Sequence, residues 1–325
     1  MIQLISHDIC ICTRGRSVSL LELLDSLAKC DNIRLRSIRV VINGEEPPQE
    51  LLNEIEEKRT TKKLNLKIEY SEPGLTKARN HALATCSSDL ITFIDDDVTV
   101  DPDCFDKIET LFHENKTLVG STPIIDGMYS DLNDSFYGRL KHKRIKRRLQ
   151  GKITKSGSNF WFIDHPNAHR TNLAMWLPGC FMTYRRSMLN GLKFAEELQN
   201  GPTGGYSLGE DVIFSTQSRK FGELRLNCST RIYHQKAEGV RDNHTIMAVA
   251  VGKFLAYQTR EQESDILRHH VLARLLTEQI LLIAVNVIKP IKRLDELKWK
   301  TLEMQSFFQE LKLPSLISGG IENER

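Results

Sequence analysis

The chain has 325 residues, 40% of them hydrophobic and 27% charged, with 10 Pro and a formal charge of +3. At about 150 residues per domain this is roughly two domains or one large one, too apolar for a disordered chain and long enough to bury a core without disulfide staples. Seven Cys, an odd number, are scattered without a C-x-x-C pair, so neither a disulfide framework nor a zinc ribbon is expected, and reduced thiols imply a cytoplasmic address. The opening MIQLISHDIC has neither a basic n-region nor an apolar core, so no signal peptide is expected.

In chain order, the apolar runs DICIC (8–12), IRVVI (38–42), NLKIEY (65–70) and LITFI (90–94) read as buried strands rich in β-branched residues. Helical patterns separate them. SVSLLELLDSLAK carries a stripe at Leu20, Leu21, Leu24, Leu27 and Ala28, with Ser19 and Glu22 at capping-box spacing; PQELLNEIEEK and TKARNHALATC follow. Strand and helix in this rhythm predict right-handed βαβ units and a parallel sheet covered on both faces. After 125 the rhythm fails, and 126–172 reads as a long insertion or lid. Regularity returns with a strand-like AMWLPGCFMTYRR (174–186), a Gly-rich turn, the helix GEDVIFSTQSRKFG (209–222), the strand LRLNCSTRIYH (224–234) and a helical remainder.

The sharpest chemical signal is Asp95, Asp96 and Asp97 directly after the fourth strand. Three adjacent carboxylates repel one another unless a cation or donors sit among them, and the carboxyl end of a central strand is where open α/β sheets bind ligands. Hard oxygen ligands favour Mg²⁺ or Mn²⁺; the bland alternative is an acidic turn ahead of the helix near Pro102. An EF-hand register from Asp95 fails, because Val100 stands at the turn glycine and Asp106 at the bidentate Glu. Glu210 and Asp211 open a helix, where free N–H groups keep a carboxylate ionised; they read equally as caps or as a base. His234 ends a strand, and alone reads as an ordinary core histidine. GYSLG (205–209) matches a hydrolase elbow at Ser207 but lacks the buried strand that must precede it.

Together and in this order, these residues resemble the inverting family 2 glycosyltransferases of the GT-A fold, over about residues 7–240. CTRGR (12–16) looks like that family's first-strand end, EPGLTKARNHAL (72–83) like its GLxxARNxG signature, IDDDV like its D-x-D motif, WLPGCFMTYRR like its acceptor-side strand and GEDV like its ED motif. The resemblance implies an α/β fold, a GT-A (Rossmann-like), mostly parallel sheet flanked by helices. It divides the chain into a nucleotide-sugar-binding half (1–125), the insertion (126–172), an acceptor-binding and catalytic half (173–240) and a C-terminal helical extension (241–325). It implies metal ligation by Asp97, Asp95 and His234, with Mn²⁺ or Mg²⁺ as cofactor, and donor binding by Thr13, Arg14, Asn43, Arg79, Asp95 and Asp96, with Arg79 meeting phosphate. Asp211, with Glu210 beside it, is implied as the catalytic base. Asn43 stands where the family often has an Asp that reads the base, leaving UDP, GDP and dTDP open.

The implied partners are a nucleoside-diphosphate sugar and a glycan or lipid-linked acceptor. Two other readings compete: a sugar-phosphate nucleotidyltransferase, whose Gly-rich, Lys-containing phosphate loop CTRGRSVS lacks, and a catalytically silent binding protein. Seven Lys and Arg fall within RLKHKRIKRR (139–148), so the positive charge is local. Without interleaved aromatics the run does not suit nucleic acid; it reads as a solvated face or as a contact to anionic membrane. The apolar 271–288, interrupted by Arg274 and Glu278, reads as a packed or dimer-forming helix, or an interfacial one, and not as a transmembrane span.

Overall fold

A computed structural model of the chain describes residues 5–44, 46–126, 150–154, 157–161, 172–200, 206–235, 244–261, 269–278 and 294–311. The chain divides into two compact units, one of Met1–Ile153 with Asn159–Ala237, the other of Thr154–Ser158 with Glu238–Arg325. The basic run 139–148, the glycines of 201–205 and residues 279–288 lie outside the described residues.

In the first unit the four apolar runs form β1 (His7–Thr13), β2 (Ser37–Asn43), β3 (Leu66–Ser71) and β4 (Leu90–Asp95), all parallel, in spatial order β3-β2-β1-β4. β1 is buried along its whole length and β4 along all but its last residue. A strand covered on both faces must be apolar throughout, which is why DICIC and LITFI do not alternate; NLKIEY, expected as a buried strand, forms instead the outermost β3, where only Leu66 is buried and polar residues alternate with apolar ones. The crossovers are α1 (Ser17–Leu27), α2 (Gln49–Thr61) and α3 (Leu75–Thr85). α1 buries Leu20, Leu23, Leu24 and Leu27, one stripe of a 3.6-residue period. The expected capping box fails here. Gly15, at φ +86, turns the chain so that α1 starts at Ser17; Leu20 N–H donates to Arg16 O at 3.1 Å, no side chain caps the helix, and Ser19 lies inside its first turn.

Beyond β4 the sheet becomes mixed. Its further elements are β5 (Val98–Val100), α4 (Cys104–Glu114), β6 (Leu118–Asp126), β7 (Leu173–Ala174), β8 (Phe181–Arg185), α5 (Glu210–Ser218) and β11 (Glu223–His234), with a small separate hairpin of β9 (Gln199–Asn200) and β10 (Tyr206–Ser207). β8 runs antiparallel between β4 and β6, β6 is parallel to β11, and β5 pairs antiparallel with β11 at the far edge. The expected strand over 174–186 is therefore two short pieces, parted where Pro178, with no N–H to give, precedes the turn at Gly179 and Cys180.

An aromatic column ties the second half of the sheet to α5. Phe194 stacks on Phe214 of α5 at 4.0 Å between centroids and meets Phe93 of β4 edge-on at 5.2 Å. Tyr184 of β8 meets Phe214 edge-on at 5.0 Å. The ends of β4 and α5, which carry the candidate carboxylates, are thus held by one packed cluster. The free cysteines are buried except Cys228, which is partly exposed.

The second unit contains the helices His244–Glu261 and Leu294–Glu310 and a helical stretch over 269–278. It buries Phe254, Leu255, Val271, Leu275, Met304 and Phe307. The charges that interrupt the apolar stretch join an ion network: Lys300 Nζ lies 2.8 Å from Glu278 and 2.7 Å from the buried Glu303, and Arg274 Nη2 lies 3.5 Å from Glu303. Among the described residues no helix is long and apolar enough to cross a membrane.

Candidate functional site

The carboxyl ends of β1, β2 and β4 deliver Thr13, Asn43 and Asp95 to one edge of the sheet, as the switch of strand order between β1 and β4 requires. Asn43 is buried, donating from Nδ2 to Thr13 O at 2.8 Å and accepting the Gly74 N–H on Oδ1 at 3.3 Å, so it ties the end of β1 to the start of α3. Arg14 is exposed and lies against Gly44, within 3.7 Å of where a Cβ there would stand. The Thr13 hydroxyl donates to Asp96 Oδ2 at 2.6 Å and accepts the Gly15 N–H.

The three aspartates point in different directions. Asp96 is buried between Thr13 and Arg16, whose Nε lies 3.3 Å from Oδ2 and whose Nη2 bonds Oδ1. Burial pushes its carboxyl up to about 6, with Asp95 and Asp97 adding to the rise and Arg16 opposing it. Asp97 sits in the turn between β4 and β5. The antiparallel register of β5 on β11 sets His234 opposite Val98, Gln235 N–H donates to Asp97 O at 2.9 Å, and His234 Nε2 comes within 3.2 Å of Asp97 Oδ1. Burial raises the Asp97 carboxyl, but the adjoining His234 and the Arg16 guanidinium outweigh it and hold it below the usual carboxylate range. Asp95, partly exposed, accepts from Arg79 Nη2 at 3.2 Å, yet burial and the nearby Asp97 leave its carboxyl raised.

One ligand atom each from Asp95, Asp97 and His234 lie within 4.8 Å of one another. Asp97 Oδ1 and His234 Nε2 are buried and face each other at 3.2 Å, and among the described residues neither has another hydrogen-bond partner, so a ligand that bonds both would be favoured. Two carboxylates and an imidazole suit Mn²⁺, and Mg²⁺ less well because of the nitrogen. The residues fit the implied cation.

The fully buried Arg79 joins this group to the Glu210–Asp211 pair. Its Nη1 donates to Glu210 Oε1 at 2.8 Å, and its Nη2 to Gly179 O at 2.9 Å as well as to Asp95. Its guanidinium stands 5.4 Å over the Phe194 ring. The resemblance implied a phosphate contact for Arg79; in the structure its charge goes to carboxylates on β4 and α5 instead. The neighbouring Asn80 clamps the segment bearing Phe194: it donates to Phe194 O at 3.0 Å and accepts the Phe194 N–H at 2.7 Å. Gly209, at φ +81, opens α5, where Glu210 is buried and Asp211 partly exposed. Asp211 accepts the N–H groups of Gly179 and Val212, each at 2.8 Å. Burial, then Glu210, push its carboxyl up to about 7 against the pull of Arg79 and those two N–H groups.

Arg79 thus links the cluster of Asp95, Asp97 and His234 to the Glu210–Asp211 pair at the start of α5, with Thr13 and Asn43 at the neighbouring strand ends. Reading the sequence missed Arg16, Asn80 as a clamp, and Gly179. The only signal for Arg16 was the need of three carboxylates for a cation. Ser207 ends the two-residue strand β10, paired with β9, and donates its hydroxyl to Leu198 O at 3.2 Å. A polar cavity of about 630 Å³ lined by Asp8, Arg39, Glu69 and His81 lies toward the opposite ends of β1 and β2.

A sequence model of the family described as Glycosyl transferase family 2 matches residues 8–189. No curated protein sequence matches. Among solved structures, TarS 1-349 of S. aureus superposes with a TM-score of 0.54 at 18% identity, covering 94% of this chain and 81% of that one. The mannosyltransferase PcManGT of Pyrobaculum calidifontis, solved with GDP-Man and Mn²⁺, gives 0.54 at 14% identity, covering 95% and 86%. GalNAc-T7, solved with UDP, GalNAc and Mn²⁺, gives 0.54 at 14%, covering 82% and 54%. What is shared at these identities is the fold, and it is the GT-A architecture expected from the sequence.

Proposed function

The chain belongs to glycosyl transferase family 2, and from that membership we propose a metal-dependent, inverting transfer of a sugar from a nucleoside diphosphate to a hydroxyl of a glycan or lipid-linked acceptor. The observation that carries the reading is that Asp95, clustered with Asp97 and His234, and Glu210, beside Asp211, share the single guanidinium of Arg79. A cation site and a base thus stand side by side, as a direct displacement needs. The two solved relatives that hold Mn²⁺ with a nucleotide or nucleotide sugar support the same reading. Family membership removes the nucleotidyltransferase alternative.

In this reading Asp97, His234 and Asp95 hold the cation, which when bound neutralises the charge growing on the diphosphate. Thr13, Arg14 and Asn43 lie where the nucleoside would sit. Asp211 takes the proton of the acceptor hydroxyl while the new C1–O bond forms opposite the breaking C1–O bond to phosphate, so that the anomeric carbon inverts. Glu210 and Arg79 position this base and do not touch the reacting atoms. A base raised to about 7 is well matched to neutral pH.

The test is donor hydrolysis in a purified sample given UDP-, GDP- and dTDP-sugars with and without Mn²⁺. One donor should be consumed only with Mn²⁺, and release of no nucleoside diphosphate from any of them would speak for a silent binding protein. A second expectation concerns Gly179. A Cβ there would lie 3.2 Å from Asp211 Oδ2 and 3.3 Å from Arg79 Nη2, so both must shift by a few tenths of an ångström. Because a 1 Å misplacement costs on the order of 10²-fold, Gly179→Ala is expected to lower kcat about tenfold with the Tm nearly unchanged. Wild-type kcat would show that the base tolerates the shift.

A further inference from the structure

Among the described residues, Arg16 is the cation that pairs with both Asp96 and Asp97 of the aspartate triplet. Its main chain is fixed, since its carbonyl accepts the first helical hydrogen bond of α1 from Leu20 at 3.1 Å. Its head is not fixed to the same degree. The side chain is 46% exposed, whereas Asp96 and Asp97 beneath it are 1% and 8% exposed. The guanidinium spans both carboxylates, with Nη2 and Nε on Asp96 and Nη1 3.1 Å from Asp97 Oδ2. Asp97 is thereby shared: Oδ2 belongs to Arg16, and Oδ1 faces His234.

We propose that Arg16 is a positioning residue that couples cation binding to nucleoside-diphosphate binding, holding Asp96 and Asp97 until a diphosphate draws its guanidinium away. The proposal rests on the cation site described above. Two physical facts lead to it. A unit positive charge bonded to one oxygen of Asp97 repels a divalent ion bonded to the other, and at the effective dielectric of a partly buried site this weakens the ion's binding about tenfold or more. The planar fork of an arginine matches two phosphate oxygens as well as it matches a carboxylate. A diphosphate entering over the triplet offers Arg16 a second anionic partner on its exposed side. Once the guanidinium turns outward, the repulsion falls and Asp97 is freed for the ion. Cation and nucleotide then bind more tightly together than apart, and reciprocally so.

The coupling is read from Mn²⁺ affinity, measured by electron paramagnetic resonance of the free ion, with and without saturating UDP or GDP. Arg16→Gln is expected to bind Mn²⁺ alone about tenfold more tightly than wild type and to lose about tenfold of the gain that nucleotide brings. Arg16→Lys keeps the charge without the fork, so its affinity for Mn²⁺ alone should stay near wild type while the nucleotide gain still falls. It also guards against a variant that fails to fold, with Tm as the check on each. If both variants match wild type in both conditions, or if Arg16→Gln binds Mn²⁺ alone more weakly, the proposal is wrong. Wild type that binds no Mn²⁺ in either condition would overturn the cation site itself, and this proposal with it.

Discussion

Asp211→Asn is expected to lower kcat by about 10²-fold or more while the nucleotide Kd stays within about twofold of wild type. The amide is isosteric, and its oxygen can still accept the Gly179 N–H that holds Asp211 at 2.8 Å, at the cost of the bond from Val212 N–H to the other oxygen, so the side chain stays in place while proton acceptance is lost. The pH profile carries the same prediction in a second form. Burial and Glu210 raise the Asp211 carboxyl to about 7, and the base works only when ionised. Wild-type kcat/KM should therefore fall about tenfold per pH unit below about 7, and the residual rate of Asp211→Asn should lack that limb. The sign for stability is opposite. A carboxyl whose pKa is raised by folding binds its proton more tightly in the native state, so wild-type stability declines as pH rises from the unfolded value near 4 through about 7. Asp211→Asn should lack this decline of Tm with pH. Unchanged turnover, or an acid limb kept in the variant, would remove Asp211 from the role of base.

The second large effect belongs to Asp97. Among the described residues it is the carboxylate that faces both His234, on Oδ1, and Arg16, on Oδ2. Asp97→Ala is expected to abolish the dependence of nucleotide binding on Mn²⁺ and to lower transfer by about 10²-fold or more, as losing a preorganised partner of the leaving group's charge does. Chelation of wild type should match the variant. Full activity in EDTA would leave the fold intact and end the metal mechanism.

The reach of the sequence follows from the kind of interaction each feature depends on. β1 and β4 were legible because strands covered on both faces must be apolar throughout, and DICIC and LITFI are; β3 lies at the end of the sheet order, so its run alternates and its burial was overestimated. The aspartate triplet was legible because its own repulsion demands an explanation within three residues. The division of labour between Glu210 and Asp211 was not, since it is decided by Arg79, 131 residues before Glu210, which takes Glu210 Oε1 and leaves Asp211 toward Gly179. Nor was Arg16, whose partners lie 80 and 81 residues away across two strands. β5 is only three residues long, and its pairing with β11 is what brings His234 to Asp97, so no local pattern could announce it. The misplaced cap at Ser19 has a local cause that periodicity does not weigh: a glycine at positive φ two residues before the helix.

A cation held by Asp97, His234 and Asp95 is the centre of the proposed mechanism. Crystals grown with Mn²⁺ and UDP or GDP should show an anomalous difference peak bonded to Asp97 Oδ1 and His234 Nε2, with Asp95 beside it and the diphosphate on its open side. A bound nucleotide with no peak among these three residues, or a peak held by other side chains, would contradict it.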